Sequence, residues 1–288
     1  MTLGQSGMQA SQIDILSFGP EHIDGAFLLS QQAQWPHRKD DWAFVLSLSK
    51  GFVALEEERV VGTAMATLYG ETCATINMVI VDASMRGRGL GRQLMDMALH
   101  AAEGRECRLV ATQDGLPLYE KLGFVVSGEI VQHQGIVQKQ AFNASAVTWA
   151  EQDMLEELAA LDAVAFGADR RNLLCTLAET GKFAILSDAG RVTGYIALRP
   201  FGRGEVAGPV VAANQDDAKA LLSFVFAARA GSFLRVDTAI ATGLAPWLTQ
   251  QGLVHVGGGV PMRRNAAPTG PNESASVKTY ALASQALG

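Results

Sequence analysis

Val79-Ile80-Val81-Asp82-Ala83-Ser84-Met85-Arg86-Gly87-Arg88-Gly89-Leu90-Gly91 passes from an apolar, β-rich run through a turn with little side-chain bulk. Beyond it, Leu90, Leu94, Met97, Ala98 and Ala101 recur at helical spacing and predict one apolar helix face. A strand that enters a helix through glycines lets backbone N–H groups approach one point, where the helix N-terminus adds partial positive charge. Arg86, Arg88 and Arg92 add formal charge around it. The combination suits an anionic phosphate group. A plain strand–helix turn with solvated arginines is the simplest competing account. A dinucleotide fold fits less well, because the spacing Gly87-x-Gly89-x-Gly91 lacks G-x-G-x-x-G and follows several strands. No Gly-Lys-Ser/Thr follows, which excludes a Walker A loop.

Working outward, Ile13–Phe18 reads as a strand, and Ile23–Ala33 and Asp41–Leu48 as helices. Phe52–Glu57 and Val60–Thr67 predict a hairpin around Glu58, and Ala74–Val81 a further strand. Downstream of the glycines come a short strand (Arg108–Ala111), a short helix (Leu116–Leu122) and a closing strand (Phe124–Gln132). The same order then recurs. Arg59-Val60-Val61-Gly62 answers to Arg191-Val192-Thr193-Gly194, an offset of 132 (59 to 191). Lys50-Gly51-Phe52 answers to Gly181-Lys182-Phe183, an offset of 131 (50 to 181). Leu116 through Phe124 answers to Ala245 through Leu253, an offset of 129 (116 to 245). A colinear series with small drift indicates an internal duplication with changed loop lengths. The expected fold class is α/β (α+β), with two tandem domains, each a mixed, mostly antiparallel twisted sheet flanked by helices. The domains are placed at 12–137 and 146–265, with a Pro/Gly/Ser-rich linker and tail at 266–288. The boundary falls near Gln138–Ala146, and the apolar tail Tyr280–Leu287 is a candidate to fold back.

The loop motif and a second one together resemble the GNAT acyltransferase superfamily. That signature has Arg or Gln, two residues, Gly, one residue, then Gly or Ala; Arg86, Gly89 and Gly91 stand in that register. Leu118-Tyr119-Glu120-Lys121-Leu122-Gly123-Phe124 is similar to the family's later helix and Gly-Phe turn. The resemblance covers about residues 12–135. It implies acetyl-CoA or another acyl-CoA as co-substrate, and an amine that attacks the thioester directly. Val79, Ile80 and Val81 are expected to splay from the neighbouring strand and meet the pantetheine arm. Arg86, Gly87, Arg88, Gly89, Leu90, Gly91 and Arg92 are expected to hold the pyrophosphate. The resemblance makes Tyr119 the acid that protonates the departing thiolate; a packing aromatic is the alternative. Thr112 stands seven residues before Tyr119, where the family often has an Asn on the CoA arm. Trp35 and His37, between the first two helices, and Asn77 on the central strand are candidate acceptor-pocket residues. Asn77 and Glu71 flank that strand as candidate bases, and a water chain is equally open.

The second half resembles a degenerate tandem partner. At an offset of 130 (Val81 to Val211), Arg86 falls on Asp216, Gly87 on Asp217, Gly89 on Lys219 and Gly91 on Leu221. Tyr119 falls on Leu248. Composition bounds the rest. Among 288 residues, 48% are hydrophobic and 18% charged, ample for two cores. A net charge of −6 gives no electrostatic reason to expect nucleic acid. Cys73, Cys107 and Cys175 have no metal or disulfide spacing, and neither a signal peptide nor a membrane span is visible. A cytoplasmic enzyme with no metal is expected, acting on a small-molecule or peptide amine, with room for a homodimer. A CoA-responsive binding or regulatory protein with little turnover is the alternative.

Overall fold

The computed structural model describes residues 13–138, 146–266 and 275–288. Residue 12, the boundary residues 139–145 and the linker residues 267–274 lie outside the described residues. The first half runs β1 (Ile13–Ser17), α1 (Ile23–Gln32), α2 (Lys39–Leu48), β2 (Ser49–Glu56), β3 (Arg59–Tyr69), β4 (Cys73–Val81) and α3 (Leu90–Ala101). It ends with β5 (Glu106–Ala111), α4 (Leu116–Lys121), β6 (Val125–Val126) and β7 (Ile130–Ile136). The second half runs β8 (Val147–Trp149), α5 (Leu155–Phe166), α6 (Arg171–Thr180), β9 (Lys182–Asp188), β10 (Arg191–Phe201), β11 (Gly204–Ala212) and α7 (Gln215–Ala228). It continues through β12 (Phe233–Ala239), α8 (Ala245–Gln250) and β13 (Val254–Arg264) to β14 (Lys278–Ala281). Two mixed, mostly antiparallel sheets with flanking helices bear out the expected tandem layout.

The repeated landmarks are repeated turns. Glu57 and Glu58 have φ of 49° and 70°, and Ala189 and Gly190 have φ of 48° and 78°. Two successive left-handed residues close a tight hairpin whose twist matches its strands. Glu56 pairs with Arg59, and Asp188 with Arg191, around these turns. On α3 the buried stripe is Leu90, Leu94, Met95 and Ala98; Met95, not the expected Met97, points inward.

The closing strand of the first half departs from expectation. It breaks into β6 and β7, and β7 leaves its own sheet. It pairs with β12 from Phe233↔Ile136 to Ala239↔Ile130, and with the start of β13. The far half of β13 inserts between β5 and β6 instead, from Val260↔Ala111 to Arg264↔Cys107 and at Met262↔Val126. β7 thus completes the second half's sheet and β13 the first half's, giving one fourteen-stranded sheet among the described residues. Gly257-Gly258-Gly259 occupies the point where β13 passes from β7 to β5. Gly257 has φ of +119°, a Cβ on Gly258 would overlap the Ile130 carbonyl oxygen, and one on Gly259 would lie 3.0 Å from the Ala111 oxygen. Backbones this close exclude side chains.

Helices α1 and α2 face α5 and α6, and one apolar cluster there contains Trp42, Met65 and Tyr69 with Leu158, Leu173 and Tyr195. The C-terminal tail folds back into it: β14 pairs with β11, and the Tyr69 hydroxyl donates to the Leu287 carbonyl at 2.8 Å. At the edge of this junction, Asp41 accepts from Gly202 N–H at 3.0 Å and from Arg38 Nη2 at 2.9 Å. Burial pushes the Asp41 carboxyl up, but the hydrogen bonds from Arg38 and Gly202 prevail and hold it below the usual carboxylate range. His37 packs against Trp35 and Phe201, with ring centroids 5.4 and 5.3 Å apart.

Two outcomes follow from the junction. Gly258→Ala should cost about 2–3 kcal/mol in chemical denaturation, since the neighbour that must move is backbone. A wild-type midpoint would contradict the close crossing. Burial lowers the His37 pKa to about 4, reinforced by Arg235 and Arg199 and opposed by Asp41. The unfolded chain therefore takes up this proton near pH 6.5, before the folded one does. Stability should fall between pH 6.5 and 4 by at most about 1.4 kcal/mol per unit on this account. His37→Phe should flatten that part of the pH profile relative to wild type.

Candidate active site

β4 and β5 are parallel neighbours over three pairs only, Cys73↔Glu106, Ala74↔Cys107 and Thr75↔Arg108. β4 then bulges: its register against β3 shifts between Thr63 and Met65, and Met78 takes φ of +49°. The Thr63 hydroxyl donates to the Met78 carbonyl at 2.6 Å and fixes the bulge. Past it, Val79, Ile80 and Val81 line a cavity of about 840 Å³.

The loop after Val81 is pinned at its start. Asp82 accepts from Ser84 N–H at 2.8 Å and from Arg59 Nη1 at 2.6 Å, and Met85 is buried. Gly87 and Gly89 have φ of +78° and +80°, with open space where a Cβ would stand. Gly89 is the N-cap of α3, and its carbonyl accepts from Gln93 N–H at 3.1 Å. The N–H groups of the first turn have no partner within the helix. Gly91 has ordinary backbone, and a Cβ there would meet Leu118 and Val81 side chains at 3.5 and 3.6 Å, normal contact. Among the loop residues, Arg86, Gly87, Gly89, Leu90, Gly91 and Arg92 line the cavity. Arg88 is exposed and lies outside that lining. Arg86 reaches Asp114 across the cavity at 3.4 Å, and both are largely exposed.

Thr112, Trp35 and Tyr119 also line the cavity. Tyr119 is 8% exposed, and burial pushes its phenol up to about 12. Its ring meets Phe124 edge-on at 6.1 Å. Gly115 gives it room: a Cβ there would lie 2.7 Å from the Tyr119 ring and 3.4 Å from its hydroxyl. Sequence reasoning passed over Gly115, although a small residue one helical turn before the tyrosine was the available signal. It also missed Asp114 and Lys121 on the same rim.

Two expected pocket residues lie elsewhere. Asn77 turns into the sheet interior, 6% exposed, and its amide donates to Thr67 Oγ1 at 2.9 Å; the bulge at Met78 separates it from the cavity-lining residues. His37 lies behind Trp35 with its Nδ1 sealed from solvent, outside the lining. Glu71 stands in the turn before β4, roughly 25 Å of strand from Val79. It is no base for this cavity.

The equivalent place in the second half is built differently. Gly62 pairs with Val81 and, in the same register, Tyr195 with Val211, which sets Gly194 opposite Ala212 and makes Ala212 the counterpart of Val81. Eight residues, 82–89, separate β4 from α3, but only two, 213–214, separate β11 from α7. The loop is shortened, which replaces the residue-by-residue substitution expected at an offset of 130. Asn214 caps α7 by accepting from Asp217 N–H at 3.0 Å, with Asp216 and Asp217 in the first turn. Leu248 stands in the place of Tyr119, fully buried; Leu253 N–H donates to its carbonyl as Phe124 N–H does to that of Tyr119.

Among the described residues, no group of three or more His, Cys, Asp or Glu side chains is arranged to hold a metal ion. No described helix is long and apolar enough to cross a membrane.

Family comparisons agree with this architecture. Residues 19–124 match the acetyltransferase (GNAT) family, and residues 158–276 match an acetyltransferase (GNAT) domain. An uncharacterized N-acetyltransferase, YitH, of Bacillus subtilis (strain 168) is 29% identical over 232 residues, 78% of this chain and 81% of the relative. A putative acetyltransferase from Pyrococcus horikoshii shares the fold over 100% of both chains, with a TM-score of 0.81 at 18% identity. A tandem GNAT protein from the clavulanic acid biosynthesis pathway matches 90% of this chain and 100% of its own, with a TM-score of 0.61 at 14% identity. With two GNAT models covering separate halves of one duplicated fold, the chain belongs to the GNAT acetyltransferase superfamily and is built of tandem GNAT domains.

Proposed function

We propose that this protein is an N-acyltransferase that moves an acetyl or short acyl group from acyl-CoA to an amine, using one donor site in the first half. The observation that carries this reading is convergence. The splayed end of β4, the Gly87–Gly91 turn and Tyr119 all open on one cavity. The left-handed glycines and the free N–H groups of α3 would hold the pyrophosphate, with Arg86 and Arg92 adding charge. Val79 to Val81 offer backbone groups to the pantetheine arm, and Thr112 lines the same cavity. Acyl-CoA supplies an activated thioester carbon. The neutral amine forms the new C–N bond and the C–S bond breaks; Tyr119 Oη gives its proton to the departing thiolate, and the proton shed by the acylated nitrogen passes to water, from which the phenol is restored. The second half has no donor site on this reading, because its shortened loop and Asn214 cap occupy the helix end. Its role is to shape the acceptor site.

Calorimetry should find one acetyl-CoA per chain. Gly89→Asp should weaken it by more than about a hundredfold, roughly 2.7 kcal/mol, by adding bulk and negative charge at the helix N-terminus. Two equivalent sites, or an unaffected variant, would refute the single-site reading. Binding with no CoA release across an amine library would favour a regulatory protein instead.

Tyr119→Phe removes one hydroxyl and keeps the ring. Acetyl-CoA affinity should survive while kcat falls about 10- to 1,000-fold. A phenol raised to about 12 by burial stays protonated through neutral and mildly alkaline pH. Activity should therefore show no falling limb from this group until pH approaches 12. A limb near pH 8 that vanishes in the Phe variant would contradict the assignment, as would an unchanged kcat when chemistry limits the rate.

A further inference from the structure

The face of the second-half sheet that closes on the α1–α2 connection carries a band of polar groups. Arg199 on β10 and Arg235 on β12 flank Val206 of β11 in one row, and Gln134 of β7 extends it. In the next row Asp237 pairs with Gln132. Both guanidiniums lie against the Phe201 ring, at 5.1 and 5.0 Å from its centroid, and Arg203 lies 4.9 Å over Phe233.

The band lies behind the donor cavity at two places, through intervening residues that connect it to the lining. Phe201 meets His37, and His37 meets Trp35, which lines the cavity. At the other end Gln285 donates to Asp237 at 3.1 Å, while its own oxygen lies 3.5 Å from the Cβ position of Gly259. That same position is 3.0 Å from the Ala111 carbonyl, one residue before Thr112 of the cavity.

Its charges do not balance. Asp237 is engaged by Arg235 at 2.8 Å and by Gln285. Asp41 is engaged by Arg38 and Gly202 N–H, and lies 3.7 Å from Arg199. Arg199 is 2% exposed, yet among the described residues its Nε meets no acceptor, and its Nη1 reaches only the carbonyl of adjacent Pro200, at 3.2 Å, besides that distant carboxylate. A buried guanidinium without a full complement of acceptors is costly unless an anion completes it. Gln132 and Gln134 are partly exposed and Ile136 is open to solvent, so the band can be approached from that end.

We propose that this band is an acceptor subsite built by the second half, and that it selects amines carrying a carboxylate, which Arg199 and Arg235 hold. The proposal rests on the first-half cavity being the acyl-donor site. The planar fork of each guanidinium matches a carboxylate, and the glutamines supply neutral donors beside it.

The test is CoA release from acetyl-CoA by the full chain with ω-amino acids from glycine to 6-aminohexanoate, each compared with its primary carboxamide. At least one acid should exceed its amide by about tenfold or more in kcat/KM. Arg199→Gln and Arg235→Gln should each bring that ratio close to one while calorimetric acetyl-CoA affinity stays at the wild-type value. Arg199→Lys should retain part of the preference. Acetyl-CoA binding with no acid preferred over its amide overturns the subsite and leaves the donor site standing, as does a preference that survives both Gln variants. No acetyl-CoA binding by the wild type overturns the donor reading and the subsite with it. Should Arg199→Gln fail to fold, Arg235→Gln alone decides: a lost preference supports the subsite and a retained one overturns it.

Discussion

β4 and β5 hold together through three residue pairs and then part, and the geometry of the first half depends on that separation. Two parallel strands that stayed in register would satisfy each other's backbone groups and leave nothing to offer a ligand. The bulge at Met78 bends β4 away, and Thr63 restrains the carbonyl that the bend displaces. The cavity between the strands has a floor of Val79 to Val81, a rim of glycines and one buried tyrosine. β5 takes its next partner, β13, from the other half, so the sheet continues beyond the gap.

The two halves match in their turns but not in their loops. The hairpins at Glu57-Glu58 and Ala189-Gly190 repeat the same backbone conformation with different residues. Strand pairing tolerates such exchange because the register is set by turn geometry and burial. A phosphate-binding turn has no such latitude, since it needs a particular length and φ > 0 at particular positions. The link between β11 and α7 is two residues long, and the helix end is capped by Asn214, an ordinary structural solution. The sheet beneath it has a full core and carries buried Arg199 and Arg235.

Local periodicity made most elements legible: the α3 stripe, the hairpins and the duplication could all be read from residue order. The loop and Tyr119 were legible because motif and spacing coincide there. What escaped was long-range. Nothing near Phe124–Gln132 reveals that this strand will pair with Phe233–Ala239, because exchange of corresponding strands between two like sheets changes no local pattern. Asn77 was a pocket candidate by its place on the central strand, and the bulge at the next position separates it from the cavity-lining residues. Met97 and Met95 differ by half a turn that composition does not resolve. The glycines at 257–259 carried a visible signal, but their meaning depends on a backbone over 100 residues away.

The exchanged strands also set a timetable for the growing chain. β5 ends at Ala111 and the stretch that pairs with it starts at Val260, roughly 150 residues later. At a synthesis rate of about 5–20 residues per second, β5 waits on the order of ten seconds or more for that partner. Throughout that interval an open parallel-sheet edge, flanked by the apolar β4, is presented to every neighbouring chain, including other nascent copies whose own β13 would fit it. The fusion of two halves into one polypeptide keeps the correct partner tethered nearby, at an effective concentration no separate chain would match.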